Sequence, residues 1–215
     1  MPRGFFASFE GIDRCGKTTQ AERLCATLAA RGLPVGTAVA PGGLLREPGG
    51  TPLGEAVRDL LLHRRHDIDP EAEALLYAAC RAQLVADVLR PALDDGRILV
   101  LDRYLDSSLA YQGHARGLGV DRVLEINAGA VAEVLPDLTI LLEIDPALAA
   151  ARGGDGDRIE REGSALQRLV AEGYRELAAR FGERIVAFDG DRPVAELASA
   201  IAAVVVARLE AVGVR

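Results

Sequence analysis

Gly11-Ile12-Asp13-Arg14-Cys15-Gly16-Lys17-Thr18 decides how this chain is read. It fits G-x-x-x-x-G-K-[ST], a loop whose glycines let successive backbone N–H groups turn inward on phosphate oxygens. The lysine of such a loop reaches the β- and γ-phosphates, and the Ser/Thr hydroxyl helps to hold Mg²⁺. Lys17 is the one lysine among 25 basic residues. Arginine fills every other basic position, so the exception stands where a compact ammonium on a flexible stem serves better than a planar fork. Upstream, Phe5-Phe6-Ala7-Ser8-Phe9-Glu10 reads as a buried strand. Downstream, Ala21, Leu24, Cys25 and Leu28 recur at helical spacing between Thr19 and Arg31, and Gly32 stops the run. Strand, glycine turn and helix are the setting that this motif requires.

Composition sets the bounds. The 215 residues suffice for one well-buried domain spanning 1–215. An apolar content of 49% with few aromatics suits helices packed on a parallel sheet. A net charge of −7 argues against non-specific nucleic-acid binding. Cys15, Cys25 and Cys80 have no CxxC spacing, so neither a zinc site nor a disulfide framework is expected, and a reducing cytoplasm fits. The amino terminus runs into the first strand without a leader pattern, and no apolar stretch reaches membrane-spanning length.

The remaining elements follow from local signals. Leu33 to Val39 reads as a weak strand followed by a flexible stretch. Thr51-Pro52 reads as the cap and first residue of a helix to about Leu62, and Asp69-Pro70 starts another that continues until Pro91. Ile98 to Leu101 and Leu138 to Ile144 read as apolar strands, the second closed by the helix start Asp145-Pro146. Ser164 with Gln167 reads as a capping box, Ile185 to Phe188 as the last strand, and Pro193 to Leu209 as the closing helix. This alternation predicts a doubly wound, five-stranded parallel sheet with helices on both faces. The glycine-rich segment within 152–163, flanked by Arg152, Arg158 and Arg161, is read either as an active-site lid or as a solvated turn.

Ligands of such sheets bind beyond the carboxyl ends of the strands, and here those ends carry Asp13, Arg14, Arg46, Glu47, Asp102 and Arg103. Asp102 is expected to face the water shell of Mg²⁺, with the Arg103 guanidinium beside it for a second phosphate. Phosphoryl transfer needs mainly alignment and positive charge around the migrating group, which these arginines supply.

Five blocks then combine: Phe9-Glu10-Gly11 through Gly16-Lys17-Thr18-Thr19-Gln20; Arg46-Glu47-Pro48-Gly49-Gly50-Thr51; Tyr77-Ala78-Ala79 with Arg81, Gln83 and Leu84; Asp102-Arg103-Tyr104 with Ser107, Ser108, Ala110, Tyr111, Gln112 and Gly113; and Asp157-Arg158-Ile159-Glu160. In this order, from about Phe5 to about Leu209, they resemble the bacterial thymidylate kinases, P-loop enzymes of the nucleoside-monophosphate-kinase fold. The resemblance implies ATP-dependent phosphorylation of dTMP to dTDP, with Mg²⁺. It places Gly11 to Thr19, with Arg152 and Arg158, on ATP, and Thr18 and Asp102 on the metal. It places Asp13 on the sugar 3′-hydroxyl, Tyr77 against thymine, Arg81 on the base and Arg103 on the acceptor phosphate. Ser108 and Gln112 lie against the base, Tyr111 near C2′, and Arg46 and Ser107 complete the acceptor site. It further implies a homodimer paired through helices, and the apolar Glu71 to Leu89 helix suits such a seam.

Taken without the resemblance, Tyr77 reads more readily as a core aromatic, Arg81 as half of a salt bridge and Ser108 as a polar cap. The stretch Ala40 to Leu45 is longer than usual for the family. Lys17, Arg14, Arg103 and Arg152 form the expected catalytic set. The cation that meets the migrating phosphoryl group is either Arg14 in the loop or Arg152 and Arg158 at the lid, with Arg14 favoured as the preorganised one. A kinase for another nucleoside monophosphate or a deoxynucleoside shares the loop without needing Tyr77 and Arg81.

Overall fold

The structure, a computed structural model, describes residues 3–40, 42–63, 67–153 and 158–213. Its centre is a sheet of five parallel strands in the order β2-β3-β1-β4-β5, formed by β1 (Phe5–Glu10), β2 (Leu44–Arg46), β3 (Ile98–Asp102), β4 (Leu138–Glu143) and β5 (Ile185–Asp189). β1 buries all six of its residues and β3 its first four, so both faces of the central sheet are covered. Such strands need continuous apolar runs rather than alternation. Phe5, Phe6 and Phe9 are fully buried, each contributing roughly 2 kcal/mol of apolar transfer. Among the described residues no helix is long and apolar enough to cross a membrane.

The helix starts follow the local chemistry. The helix α1 is Lys17–Ala30. Before α2 (Pro52–Arg58), the Thr51 hydroxyl accepts from the Gly54 N–H, and Pro52 fills the first position, where no N–H is needed. Asp69 accepts from the Glu71 N–H before α3 (Pro70–Leu84), and Asp145 from the Ala147 N–H before α7 (Pro146–Ala151).

Three expectations need correction. Leu33 to Val39 is not a strand: Gly36 turns at φ 87°, and Thr37 and Ala40 exchange backbone hydrogen bonds, leaving only a bridge between Val35 and Ile98. The edge strand is β2, which begins just after the stretch expected to be flexible, and it pairs Leu44 to Arg46 with Val100 to Asp102. Pro91 does not end the third helix. A π-helical segment, Val85–Leu89, follows α3 and leads into α4 (Arg90–Asp94), placing the wide turn where the proline has no N–H to give. Ser164 caps nothing: α8 (Ser164–Arg180) begins after Gly163 at φ 88° without a side-chain cap.

The chain between β3 and β4 forms α5 (Leu105–Ser108), a π-helical segment Leu109–Ala115 and α6 (Val120–Val131), and α9 (Val194–Ala211) closes the fold. α9 packs on α1, α6 on α3, and α8 on the 109–115 segment. The last of these carries α8 to the carboxyl ends of β1 and β3.

Candidate active site

The phosphate loop joins β1 to α1. Gly16 stands in the left-handed region at φ 100°, and a Cβ at Gly11 would lie 2.5 Å from the Leu142 carbonyl oxygen, so both positions demand glycine. Two of the four non-glycine residues with positive φ among the described residues are Arg14 (63°) and Arg103 (71°). Strained backbone of this kind collects where side chains must be aimed. Lys17 is buried at 6% exposure, not solvated as its role suggests: its ammonium donates to the Ile12 carbonyl at 2.7 Å and lies 3.6 Å from Cys15 Sγ. The Thr18 hydroxyl donates to Asp102 at the end of β3.

A cavity of about 250 Å³ opens beside the loop. Asp13, Tyr77, Arg81, Arg103, Ser107, Ser108, Tyr111 and Gln112 all line it, together with Arg14, Lys17, Thr18 and Asp102. Arg103 pairs with Asp13, donates to the Gly11 carbonyl and the Ser107 hydroxyl at 3.1 Å each, and lies over the Tyr111 ring at 5.3 Å. Burial disfavours the Asp13 carboxylate, but the charges of Arg103 and Lys17 and hydrogen bonds from Tyr111 and Gln167 outweigh it, holding the group below the usual carboxylate range.

Arg81 is 1% exposed on its side chain and pairs with Glu47 at 2.5 Å. It also donates to the Asn127 side chain, to Ser108 Oγ at 3.0 Å and to the Tyr104 carbonyl at 3.2 Å. Burial pushes Glu47 up to about 7 although Arg81 pulls it down. Gln112 donates through Nε2 to Glu73 at 2.9 Å.

A second cavity, of about 560 Å³, lies across the loop. Cys15, Gly16, Lys17, Thr18, Thr19 and Arg152 line it, and the two cavities share Arg14, Lys17 and Thr18. Arg152 is held at 3.1 Å by the carbonyls of Arg14 and Gly190. Gly11 and Ile12 lie in the loop without lining either cavity.

Two expected site residues stand elsewhere. Arg46 is an exposed residue paired with Glu55 at 3.0 Å and lines neither cavity, because β2 ends at this residue and the chain turns toward α2. Arg158 donates through Nε to the Leu61 carbonyl at 2.7 Å and pairs with Glu73, so it is tied to the α2–α3 region rather than to the phosphate loop. Asp157 and the glycines at 154 and 156 lie outside the described residues.

A family model described as thymidylate kinase matches residues 9–201. The chain belongs to the thymidylate kinase family. A thymidylate kinase of Leifsonia xyli subsp. xyli is 48% identical over 202 residues, 92% of each chain. One from Thermoanaerobacter sp. (strain X514) is 47% identical over 190 residues, 87% of this chain and 90% of the relative. One from Deinococcus radiodurans is 45% identical over 208 residues, 95% of this chain and 98% of the relative. The five-stranded parallel sheet flanked by helices agrees with the P-loop fold of this family.

Several residues of this family member's site escaped the sequence reading. Arg58 lines the first cavity, beside Glu47 and Pro48, which carry no site role in the sequence reading, and Arg192, Val194 and Leu197 line the second. Gly190-Asp191-Arg192-Pro193 at the end of β5 was a readable signal, since it occupies another strand terminus. Glu10 is fully buried and accepts from Ser107 Oγ (2.6 Å), Tyr174 Oη (2.9 Å) and the Tyr104 N–H (2.8 Å). Burial, then the nearby Asp106 carboxylate, push it up to about 7 against the Ser107 hydrogen bond and the Arg103 charge. Nothing in the sequence marked Tyr174, which reads as one apolar helix position among several.

Proposed function

We propose that this chain transfers the γ-phosphoryl group of ATP to dTMP, giving ADP and dTDP. The observation that carries this reading is the pair of cavities meeting at Arg14, Lys17 and Thr18. A donor triphosphate in one and an acceptor monophosphate in the other face each other across the lysine, as an in-line transfer between two nucleotides requires.

An acceptor phosphate oxygen attacks the γ-phosphorus, and the bond from that phosphorus to the β,γ-bridging oxygen breaks with its electrons leaving on ADP. The attacking phosphate is already anionic, so no general base is needed. The protein supplies alignment and charge. Arg103, fixed by Asp13, Ser107 and the Gly11 carbonyl, holds the acceptor phosphate. Lys17 leaves the Ile12 carbonyl for the β- and γ-phosphates, and Arg14 meets the migrating group, while Arg152 grips ATP. Tyr77 stacks on the base, Arg81 and Ser108 reach its edge beside Gln112, and Tyr111 crowds the C2′ position of a ribose. Asp13 takes the 3′-hydroxyl.

The oxygen donors Thr18 and Asp102 suit Mg²⁺, which favours one or two protein oxygens completed by water and substrate phosphates. Bound there, the ion neutralises developing charge on the phosphates. We read the chain as a homodimer, supported by Leu75 of α3, which stays 52% exposed, and as working in the cytoplasm, where ATP is at hand. The 1–215 span is read as one kinase domain, with 152–163 as its lid.

Calorimetric titration tests the acceptor assignment. Arg103→Ala should weaken dTMP binding about ten- to hundredfold more than it weakens thymidine binding, the scale of charge-assisted hydrogen bonds, because thymidine loses only the Arg103 support of Asp13. Equal weakening of both ligands would remove Arg103 from the phosphate.

A further inference from the structure

Gln167 stands in the first turn of α8, the helix that follows the lid, yet its side chain crosses to the phosphate loop. Its Oε1 accepts from the Asp13 backbone N–H at 3.2 Å, and its Nε2 donates to Asp13 Oδ2 at 2.8 Å. The orientation of this amide is forced, because a backbone N–H only donates and a carboxylate only accepts. The remaining bonds of the Asp13 carboxylate come from elsewhere: Tyr111 Oη donates to Oδ2 at 3.0 Å, and Arg103 to Oδ1. Tyr111 and Arg103 hold the carboxylate alone. Gln167 holds main chain and side chain of the same residue at once, which fixes the torsion between them.

A surface tie between helix and loop needs neither feature. The site is only partly exposed, with 18% of the Asp13 side chain accessible, and Asp13 lines the cavity that receives the acceptor. A carboxylate that must meet one sugar hydroxyl has to be held within a fraction of an ångström, and groups that do not touch the ligand supply that constraint.

We propose that Gln167 is a positioning residue that sets the Asp13 carboxylate for the acceptor's 3′-hydroxyl, and so helps the site to distinguish nucleotides that carry this hydroxyl from those that lack it. This rests on the reading of the chain as a dTMP kinase. It also ties the first turn of α8 to the phosphate loop.

The experiment compares kcat/KM for dTMP and for its 3′-deoxy analogue in wild type, Gln167→Leu and Gln167→Glu. Leucine removes both hydrogen bonds. Glutamate keeps the acceptor for the Asp13 N–H, and it replaces the donor with a carboxylate facing Oδ2. Wild type should prefer dTMP. In both variants kcat/KM for dTMP should fall about tenfold or more, the scale of one hydrogen bond to a charged group, while the value for the analogue stays within about twofold. The isosteric glutamate variant keeps the test valid should leucine unfold the helix start. Equal losses on both substrates, unchanged dTMP kinetics, or a wild type indifferent to the 3′-hydroxyl would each overturn the inference. Failure of wild type to phosphorylate dTMP at all would instead bring down the functional reading on which it rests.

Discussion

The Thr18 hydroxyl donates to Asp102 Oδ2 at 2.5 Å, joining the first turn of α1 to the end of β3 across 84 residues of sequence. Parallel pairing of Phe9 with Asp102 makes this possible, since it brings the ends of β1 and β3 level. Asp102→Asn keeps the shape and removes the charge beside the proposed metal position. The Mg²⁺ concentration for half-maximal rate should rise at least several-fold, with dTMP affinity measured without ATP unchanged. A Mg²⁺ dependence identical to wild type would take Asp102 out of the metal site.

Arg81 and Glu47 form a buried ion pair at the wall of the first cavity. Removing one partner leaves the other charge buried without compensation, so Glu47→Ala should lower unfolding free energy by about 3 kcal/mol in urea denaturation. Replacing the Glu55 partner of exposed Arg46 by alanine should cost less than about 1 kcal/mol, because that pair is solvated. Similar losses in the two variants would contradict the contrast in burial.

Glu10 carries a pH signature. Its folded-state carboxyl is raised from 4.5 to about 7, so the folded protein holds a proton that the unfolded chain releases between these values. That contribution to stability is complete below about 4.5 and is lost as pH rises through about 7. Glu47 acts in the same direction, whereas Asp13 and Glu73, whose carboxyls are lowered, act below the ordinary carboxylate range. Glu10→Gln should therefore raise Tm relative to wild type more at pH 8 than at pH 5.5. A pH-independent difference would show that burial and Asp106 do not shift this group.

In the proposed reaction Arg14 and Arg152 divide the positive charge near the transferring phosphate. Arg14 sits on the loop at φ 63°, where glycine is at ease, so Arg14→Gly removes the guanidinium without straining the backbone. Arg152 is braced by two carbonyls at the donor cavity. Arg14→Gly should lower kcat about 10³-fold with little change in KM for dTMP, and Arg152→Ala should mainly raise KM for ATP. Steady-state kinetics with the opposite pattern would move the catalytic cation to Arg152.

What the sequence disclosed depends on how local each signal is. The starts at Thr51-Pro52, Asp69-Pro70 and Asp145-Pro146 are settled within four residues, and each formed as its cap chemistry dictates. The strands Phe5–Glu10 and Ile98–Asp102 were legible as short, mainly apolar runs. The edge strand was not, because Leu33 to Val39 is the longer apolar stretch, and only the turn at Gly36 delivers Leu44 to Arg46 to β3. The expected acceptor-site residues met in one cavity, apart from Arg46. Gln167 misled for the opposite reason: its local geometry permits a cap, but a partner 154 residues away offers both a donor and an acceptor. Arg158 likewise answers to Glu73, 85 residues distant.

The two cavities meeting at Lys17 are proposed to make this chain a kinase selective for dTMP. The most direct test of that selectivity is ADP release measured against a panel of acceptors, dTMP, UMP, CMP and AMP, at saturating ATP and Mg²⁺. The highest kcat/KM is expected for dTMP, with UMP lower by about ten- to hundredfold or more, because a ribose 2′-hydroxyl would meet Tyr111 and find no partner there. A kcat/KM for UMP or CMP equal to or above that for dTMP would contradict it.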